Sequence, residues 1–125
     1  LFSARMDQDL NVLNGGTMIN AEGDRGEKET FGKPSSWIDF YGNRGEGQEG
    51  LAVMQHPSND WYPSPWFTRD YGFISPTPMY WPENEKEGTK LKKGDSVKLK
   101  YRVIVHQGDH LEADIAGKFN AYSKD

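Results

Sequence analysis

The alternation of hydrophobic and polar positions is most regular over residues 96–106, SVKLKYRVIVH. One side of an extended chain here is apolar, with Val97, Leu99, Tyr101, Val103 and Val105. The other side carries the basic residues Lys98, Lys100 and Arg102. A period of two is typical of an antiparallel strand with one buried and one solvated face. The pattern predicts a half-solvated strand and makes His106 an ordinary surface histidine on its polar side.

Two shorter segments predict further strands. In residues 36–41, SWIDFY, both faces of an extended chain carry large side chains, which indicates a strand covered on both sides. One of these faces presents Trp37, Asp39 and Tyr41. Residues 50–55, GLAVMQ, form a continuous apolar run, which is typical of a buried central strand.

The two ends of the chain predict a hairpin and a helix. Asn14-Gly15-Gly16 lies between apolar residues and favours a tight turn, so we expect two short strands within residues 1–20. Residues 21–35 are polar and predict a solvated loop or, alternatively, a functional loop. Near the other end, the spacing predicts a helix with Asp109 as its cap. One face of this helix carries Leu111, Ile115, Phe119 and Tyr122.

Several strands between turns, followed by one helix, predict a mainly β fold. We expect an antiparallel β-sandwich or jelly-roll-like domain with one carboxy-terminal helix. A chain of 125 residues has room for one hydrophobic core, so we interpret residues 1–125 as a single domain.

Charge and composition narrow the function classes. A net charge of −4 without a block of basic residues disfavours nucleic acid as a partner. No apolar stretch approaches the roughly 18 residues of a membrane span, so no membrane contact is expected. The chain has no cysteine, which excludes disulfides, zinc–thiolate sites and cysteine nucleophiles. The sequence does not assign the cellular compartment, and a periplasmic or secreted location is slightly favoured.

Residues 56–82, HPSNDWYPSPWFTRDYGFISPTPMYWP, concentrate rings and prolines. They hold eight of the 16 aromatic residues and six of the seven prolines. Because proline fixes φ and removes a backbone donor, this segment predicts a stiff, folded-back loop and neither a helix nor a central strand. We expect its exposed rings to form a lid over the core or the wall of a binding groove.

Polar residues of this loop are the candidate site. A histidine, a carboxylate, an amide and a guanidinium beside aromatic rings suit a sugar, whose C–H faces stack on rings while its hydroxyls bind polar groups. The catalytic candidates are His56 and Asp70, and the ligand-binding candidates are Asn59, Trp66, Arg69 and Tyr71. The alternative is that Arg69 and Asp70 bind the loop backbone and that about half of the rings pack in the core.

Histidines raise the question of a metal. His56, His106 and His110 would have to meet around a copper or zinc ion. None of them has the His-x-His spacing that puts two imidazoles on one side of a strand. The metal and any cofactor therefore remain open.

Motifs in one order along residues 20–117 resemble the PmoA-like domain family, labelled methane oxygenase PmoA. The matching positions are Glu27, Lys28, Gly32, Lys33, Trp37, Asp39, Phe40, Gly42, Gly50, Ala52, Val53, His56–Asn59, Pro63, Pro65, Trp66, Arg69–Gly72, Gly94–Ser96, Tyr101, Arg102, Val105 and His106. The family domain is longer, which implies that this chain is its carboxy-terminal half. Two positions depart from the family pattern, with Asp60 in place of a proline and Phe67 in place of a histidine. Phe67 excludes proton transfer or metal binding at that position.

The resemblance implies a β-sandwich of bacterial glycan metabolism that acts on or binds a carbohydrate through residues 56–82. The family label implies an alternative, a copper-dependent oxidoreductase that uses His56 with His106 or His110. A third expectation is a non-catalytic interaction module, in which the aromatic loop binds a partner protein or a second copy of the chain.

Overall fold

The computed structural model describes residues 2–78 and 89–125. Within these residues seven strands pair in two antiparallel sheets, and the fold is a mainly β sandwich with a carboxy-terminal helix, as predicted. The small sheet has the order β1-β6-β5, with β1 at Ala4–Arg5, β5 at Trp66–Arg69 and β6 at Phe73–Pro76. The large sheet has the order β2-β3-β4-β7, with strands Thr17–Asn20, Trp37–Arg44, Gly47–Gln55 and Tyr101–Gln107.

Short helices complete the fold. Two 3₁₀ turns, Gln8–Leu10 and Val12–Asn14, connect β1 to β2. Helix α1 spans Gly26–Thr30 and helix α2 spans Ile115–Tyr122. The prediction of a loop over residues 21–35 is wrong at α1. Thr30, on this helix, is buried and its hydroxyl donates to Oγ1 of Thr68 on β5 at 2.9 Å.

Two apolar clusters hold the layers together. The first lies between the sheets and includes Ile38, Phe40, Val53, Trp66 and Ile74. The second lies between the other face of the large sheet and α2, and includes Trp37, Tyr41, Met54, Ile115 and Tyr122. Strand β3 therefore buries both faces and β4 is a central strand, as their patterns predict. Full burial of a single ring such as Phe40 contributes about 1.5–3 kcal/mol.

The amino-terminal hairpin is not formed. Strand β1 pairs with β6 and β2 pairs with β3, so the two predicted strands belong to different sheets. Gly15 does take the left-handed conformation that the turn signal requires, but it ends the second 3₁₀ turn. The Asn-Gly-Gly signal correctly predicts a turn but wrongly predicts that the strands on either side of it pair with each other.

Within the proline-rich segment, the prediction that no central strand forms is wrong. Strand β6 is the middle strand of the small sheet, and it ends at Pro76, opposite Trp66. Each strand has only four residues: Pro65 precedes β5, the turn over residues 70–72 separates β5 from β6, and β6 ends at Pro76. The part of the predicted loop beyond Pro78 lies outside the described residues.

Strand β7 and helix α2 differ from their predictions in position. Regular pairing with β4 begins at Tyr101, and the supposedly core-facing Val103 and Val105 are 45% and 78% exposed. His106, expected on a solvated face, is buried. Asp109 caps a turn that precedes α2, and the helix N-cap is Asp114, whose carboxylate accepts from the Gly117 amide at 3.2 Å.

Candidate functional site

The outer surface of the small sheet carries a cluster of rings and guanidinium groups. Alternation along β5 and β6 turns Trp66, Thr68 and Ile74 toward the core. The intervening positions point outward, and neighbouring segments add further side chains. We call this surface the aromatic face; its members are Arg5, Phe31, Phe67, Arg69, Tyr71 and Phe73.

The rings of the aromatic face touch one another edge to face. The Phe67 centroid lies 5.2 Å from that of Phe31 and 5.8 Å from that of Phe73, with interplanar angles of 66° and 84°. Such T-shaped contacts are the favoured geometry of aromatic pairs. They hold the rings in a fixed array on the surface.

Arg69 is held flat against this array. Its guanidinium carbon lies 4.3 Å from the Phe67 centroid and 4.8 Å from the Phe31 centroid, and Nη1 lies 3.5 Å from Glu27 Oε1. Cation–π contacts and a partly exposed ion pair stabilise only modestly, by about 0.5–1 kcal/mol each. Their effect here is to fix the direction of the guanidinium.

A groove of about 450 Å³ opens beside the rings. It is lined by Phe67, Tyr71, Phe73, Ser75, Pro76, Thr77 and Pro78. The Tyr71 side chain is 46% exposed, and the Arg5 guanidinium carbon lies 5.8 Å from the centre of its ring. The groove thus combines apolar walls with three hydroxyl groups, those of Tyr71, Ser75 and Thr77, and a nearby cation.

Of the predicted site residues, Arg69 and Tyr71 lie on the aromatic face, and the other four do not. His56 is buried at the end of β4, where its ring packs edge to face against Tyr122. Its Nδ1 accepts from the Ser58 amide at 3.0 Å, so the proton of the neutral ring is on Nε2, which faces the Asp125 carbonyl at 3.1 Å. Both nitrogens are occupied in connecting the loop to the carboxy-terminal segment.

Asn59 and Trp66 are also internal. The Asn59 amide donates to the Lys100 carbonyl at 2.8 Å and accepts from the Lys100 amide at 2.7 Å, which fixes the segment leading into β7. Trp66 has no exposed surface, and its indole N–H donates to the Ser35 carbonyl at 2.8 Å. In this structure the Trp66 ring is not available to stack on a ligand.

Asp70 joins the proline-rich segment to α1. Its Oδ1 accepts from the Glu27 amide at 2.8 Å, and its backbone carbonyl accepts from the Val12 amide at 2.9 Å. An acceptor at the first turn of a helix satisfies a backbone donor that the helix leaves free. Asp70 and Arg69 both contact Glu27, whereas His56 and Asn59 contact the segments around β7 and α2, so the predicted residues form two separate groups.

A buried ionisable pair, absent from the predicted site, lies on the face of the large sheet that points away from the small sheet. His106 Nε2 is 2.6 Å from Asp39 Oδ1, and the His106 ring crosses Gly50 to reach it. Asp39 Oδ2 has no hydrogen-bond partner among the described residues. Beside the pair, His110 Nδ1 lies 3.2 Å from the Tyr41 hydroxyl. Asp39 itself was the available signal, because a carboxylate in a strand buried on both faces must be paired.

The pKa values of this pair both lie above their ordinary ranges. Burial raises the pKa of Asp39, although the hydrogen bond and charge of His106 act against it. Burial alone would lower the pKa of His106, but the hydrogen bond to Asp39, its negative charge and backbone hydrogen bonds at Gln107 and Gly108 together raise it. His106 Nδ1 also faces a backbone acceptor, the Gln107 carbonyl at 3.4 Å, so two acceptors favour the imidazolium.

No metal site or membrane-spanning helix is found in the described part of the chain. Residues 2–78 and 89–125 contain no group of three or more histidines and acids arranged to hold an ion. His56 follows β4 and His106 pairs with Gly50, six positions earlier, which separates them by roughly 20 Å along the strand. Over the same ranges, no helix is long and apolar enough to cross a membrane.

Comparison with known proteins corrects the expected family. No curated protein and no solved structure matches the chain. The expectation of a PmoA-like methane oxygenase family is wrong, because no model of such a family matches and a different model covers nearly the whole chain. The chain belongs to a family of unknown function, DUF6807, whose model matches residues 1–120.

Proposed function

We propose that this protein binds a carbohydrate in the groove of the aromatic face. The observation that carries the proposal is the exposed Tyr71 ring, beside the rigid Phe67–Phe73 pair, at the edge of a groove of about 450 Å³. That volume falls within the roughly 300–1,000 Å³ of small-molecule sites. A pyranose presents a C–H face to such rings and hydroxyls to its periphery.

Polar groups around the groove match that periphery. The Ser75 hydroxyl donates to the Phe2 carbonyl at 2.8 Å, and the Thr77 hydroxyl donates to the Pro65 carbonyl at 2.6 Å. Because each donor is engaged within the protein, the free lone pairs of both oxygens are left to accept from sugar hydroxyls. The Arg5 guanidinium supplies several donors next to Tyr71.

The groove supports binding and not glycoside hydrolysis. Hydrolysis by the usual routes needs two carboxyl groups on either side of the scissile bond. Among the described residues that line the groove, none is acidic, and Asp70 is engaged with the Glu27 amide. His56, the other catalytic candidate, has both ring nitrogens occupied on the far side of the core.

Calorimetric titration with a panel of neutral and acidic oligosaccharides tests the proposal. We expect saturable heat with at least one of them, and Tyr71→Ala should weaken binding by about tenfold or more, as loss of a central ring does at a binding site. Arg5→Ala should weaken binding while leaving the fold intact.

The matched control is Leu111→Ala, which truncates an exposed apolar side chain near α2, away from the groove. It should leave the affinity unchanged. Absence of heat with every sugar at high protein concentration would overturn the proposed function, and unchanged binding by Tyr71→Ala would overturn its location.

A further inference from the structure

Two arginines lie on either side of Phe73 across the outer surface of the small sheet. Arg5 on β1 pairs with Phe73 on β6, and Phe73 pairs with Arg69 on β5. Residues directly opposite each other on neighbouring strands turn their side chains to the same face. The aromatic face therefore presents a guanidinium, a ring and a second guanidinium in one row, and the ring in the middle lines the groove.

The two guanidinium groups differ in what they contact. That of Arg69 lies against two rings of the aromatic face and pairs with Glu27 at 3.5 Å. That of Arg5 is 5.8 Å from the Tyr71 centroid, close to the limit of about 6 Å for a cation–π contact. In the described part of the chain no ion pair involves Arg5, and its side chain is exposed. Arg5 is therefore the guanidinium of this row that is available to a ligand.

The position of Arg5 beside the groove is fixed by the backbone. The amide of the next residue, Met6, donates to the Gly72 carbonyl at 2.6 Å. A Cβ at Gly72 would lie 3.1 Å from the Met6 Cβ, so β1 packs closely against the turn between Tyr71 and Phe73. The strand that carries the cation is thus attached to the turn that carries the exposed ring.

The charge beside the groove is opposite in sign to that of the whole chain. The net charge is −4, yet none of the described residues that line the groove is acidic. The acid next to Tyr71 in sequence, Asp70, accepts from the Glu27 amide at 2.8 Å, and the Glu27 carboxylate pairs with Arg69. An anionic ligand in the groove would therefore meet the Arg5 cation and no carboxylate of a described lining residue.

We propose that the carbohydrate bound in the groove is acidic, a uronic acid whose carboxylate pairs with Arg5. This inference rests on the proposed function and names the class of its ligand. The carboxylate of a uronic acid projects from the edge of the pyranose ring, so a sugar stacked on the exposed rings directs it sideways, toward Arg5. The two oxygens of a carboxylate match the planar fork of one guanidinium, and such charge-assisted pairs are about twice as strong as neutral hydrogen bonds.

A carboxylate suits the groove better than the sulfate of a sulfated sugar. A sulfate ester has three terminal oxygens, of which one guanidinium fork binds two. The hydroxyl hydrogens of Ser75 and Thr77 are already donated to the Phe2 and Pro65 carbonyls, so neither residue can donate to the third oxygen.

Calorimetric titration with matched pairs of sugars tests the charge of the ligand. Each pair contains a short oligouronate, of galacturonate, glucuronate or mannuronate, and its methyl ester, which keeps the sugar ring and its stereochemistry and removes the charge. The native protein should bind at least one acid about tenfold or more tighter than its ester, as expected for loss of hydrogen bonds to a charged group. A sulfated neutral oligosaccharide should bind no better than the esters.

Variants assign the preference to one residue. Arg5→Gln should bind the acid no better than the ester, because it removes the guanidinium, whereas Tyr71→Ala should weaken the binding of both. Arg44→Gln is the matched control, since it removes the same charge from an exposed arginine of β3 that does not line the groove. It should keep the native preference for the acid. Circular dichroism checks that each variant is folded.

The outcomes separate this inference from the proposed function. Equal binding of acid and ester by the native protein, or binding of neutral sugars alone, would overturn the acidic ligand and leave carbohydrate binding in place. Tighter binding of the sulfated sugar would refute a uronic acid, and a preference for the acid that survives Arg5→Gln would refute the role of Arg5. Absence of heat with every sugar would overturn both proposals.

Discussion

His106 Nε2 lies 2.6 Å from Asp39 Oδ1, and both side chains are buried between the large sheet and the segment that leads into α2. The two residues are 67 positions apart in the sequence, on strands separated by β4. Two charges taken out of water attract each other, yet each bears a desolvation penalty of several kcal/mol. The pair is therefore a sensitive point of the fold, and it makes stability depend on pH.

We expect the protein to lose stability as the pH rises above the ordinary range of histidine. Burial lowers the pKa of His106, but the hydrogen bond and charge of Asp39, with backbone hydrogen bonds at Gln107 and Gly108, leave it raised in the folded state. A raised pKa contributes stability that is fully present below the unfolded value, about 6.5, and is lost as pH rises through the folded value. The raised pKa of Asp39, caused by burial, acts in the same direction from about pH 4 upward.

Urea denaturation at pH values from about 6 to about 9 measures this effect. The free energy of unfolding should decrease over that range in the native chain, and the decrease should be smaller in His106→Gln, which removes the titrating ring. An identical pH profile in the two proteins would refute the assignment of the effect to His106.

Removal of one member of the pair should be costly. Asp39→Asn leaves the imidazole without its counter-charge in a buried position, and loss of one partner of a buried pair costs about 3–5 kcal/mol. The control is Asp7→Asn, because Asp7 makes an exposed ion pair with Arg44, worth at most about 1 kcal/mol. Equal effects of the two substitutions on the denaturation midpoint would contradict this account.

Gly50 should be required because the His106 ring occupies the space where a side chain would begin. A Cβ at Gly50 would lie 2.6 Å from two atoms of that ring and 2.5 Å from the Phe40 carbonyl oxygen. Gly50→Ala should therefore destabilise the fold by about 1–3 kcal/mol through overpacking. Gly47→Ala is the matched control on the same strand, since nothing lies within 4 Å of its Cβ position. Thermal melts of both variants decide the prediction, which fails if Gly50→Ala melts no lower than Gly47→Ala.

The buried strands could be predicted from sequence because their own residues report their surroundings. Large side chains on both faces of β3 and a continuous apolar run in β4 need cover on two sides, and both strands have it. The exposure of Val103 and Val105 could not be predicted in this way. The exposure of these two valines depends on how far the opposing sheet extends, and the residues of β7 do not indicate that extent.

The candidate site could likewise be predicted only in part. Tyr71 and Arg69 lie at the surface, whereas the Trp66 ring is enclosed, although all three occur within six residues. A strand of four residues such as β5 is too short for its period to assign an inner and an outer face. The Asp39–His106 pair joins strands that are distant in sequence, so no local motif connects its members.

Trp66 and Tyr71 should therefore respond in opposite ways to substitution. Trp66→Phe removes the hydrogen bond from the indole N–H to the buried Ser35 carbonyl, which still accepts from Gln55 Nε2 at 3.0 Å, and loss of one such bond costs about 0.5–1.5 kcal/mol. Because the ring has no exposed surface, the affinity of the folded protein for a sugar should not change. Tyr71→Phe keeps the exposed ring and should leave both stability and stacking nearly unchanged, whereas Tyr71→Ala should reduce affinity alone. Denaturation and titration of the three variants separate these effects, and a loss of affinity in folded Trp66→Phe would show that the binding surface reaches into the core.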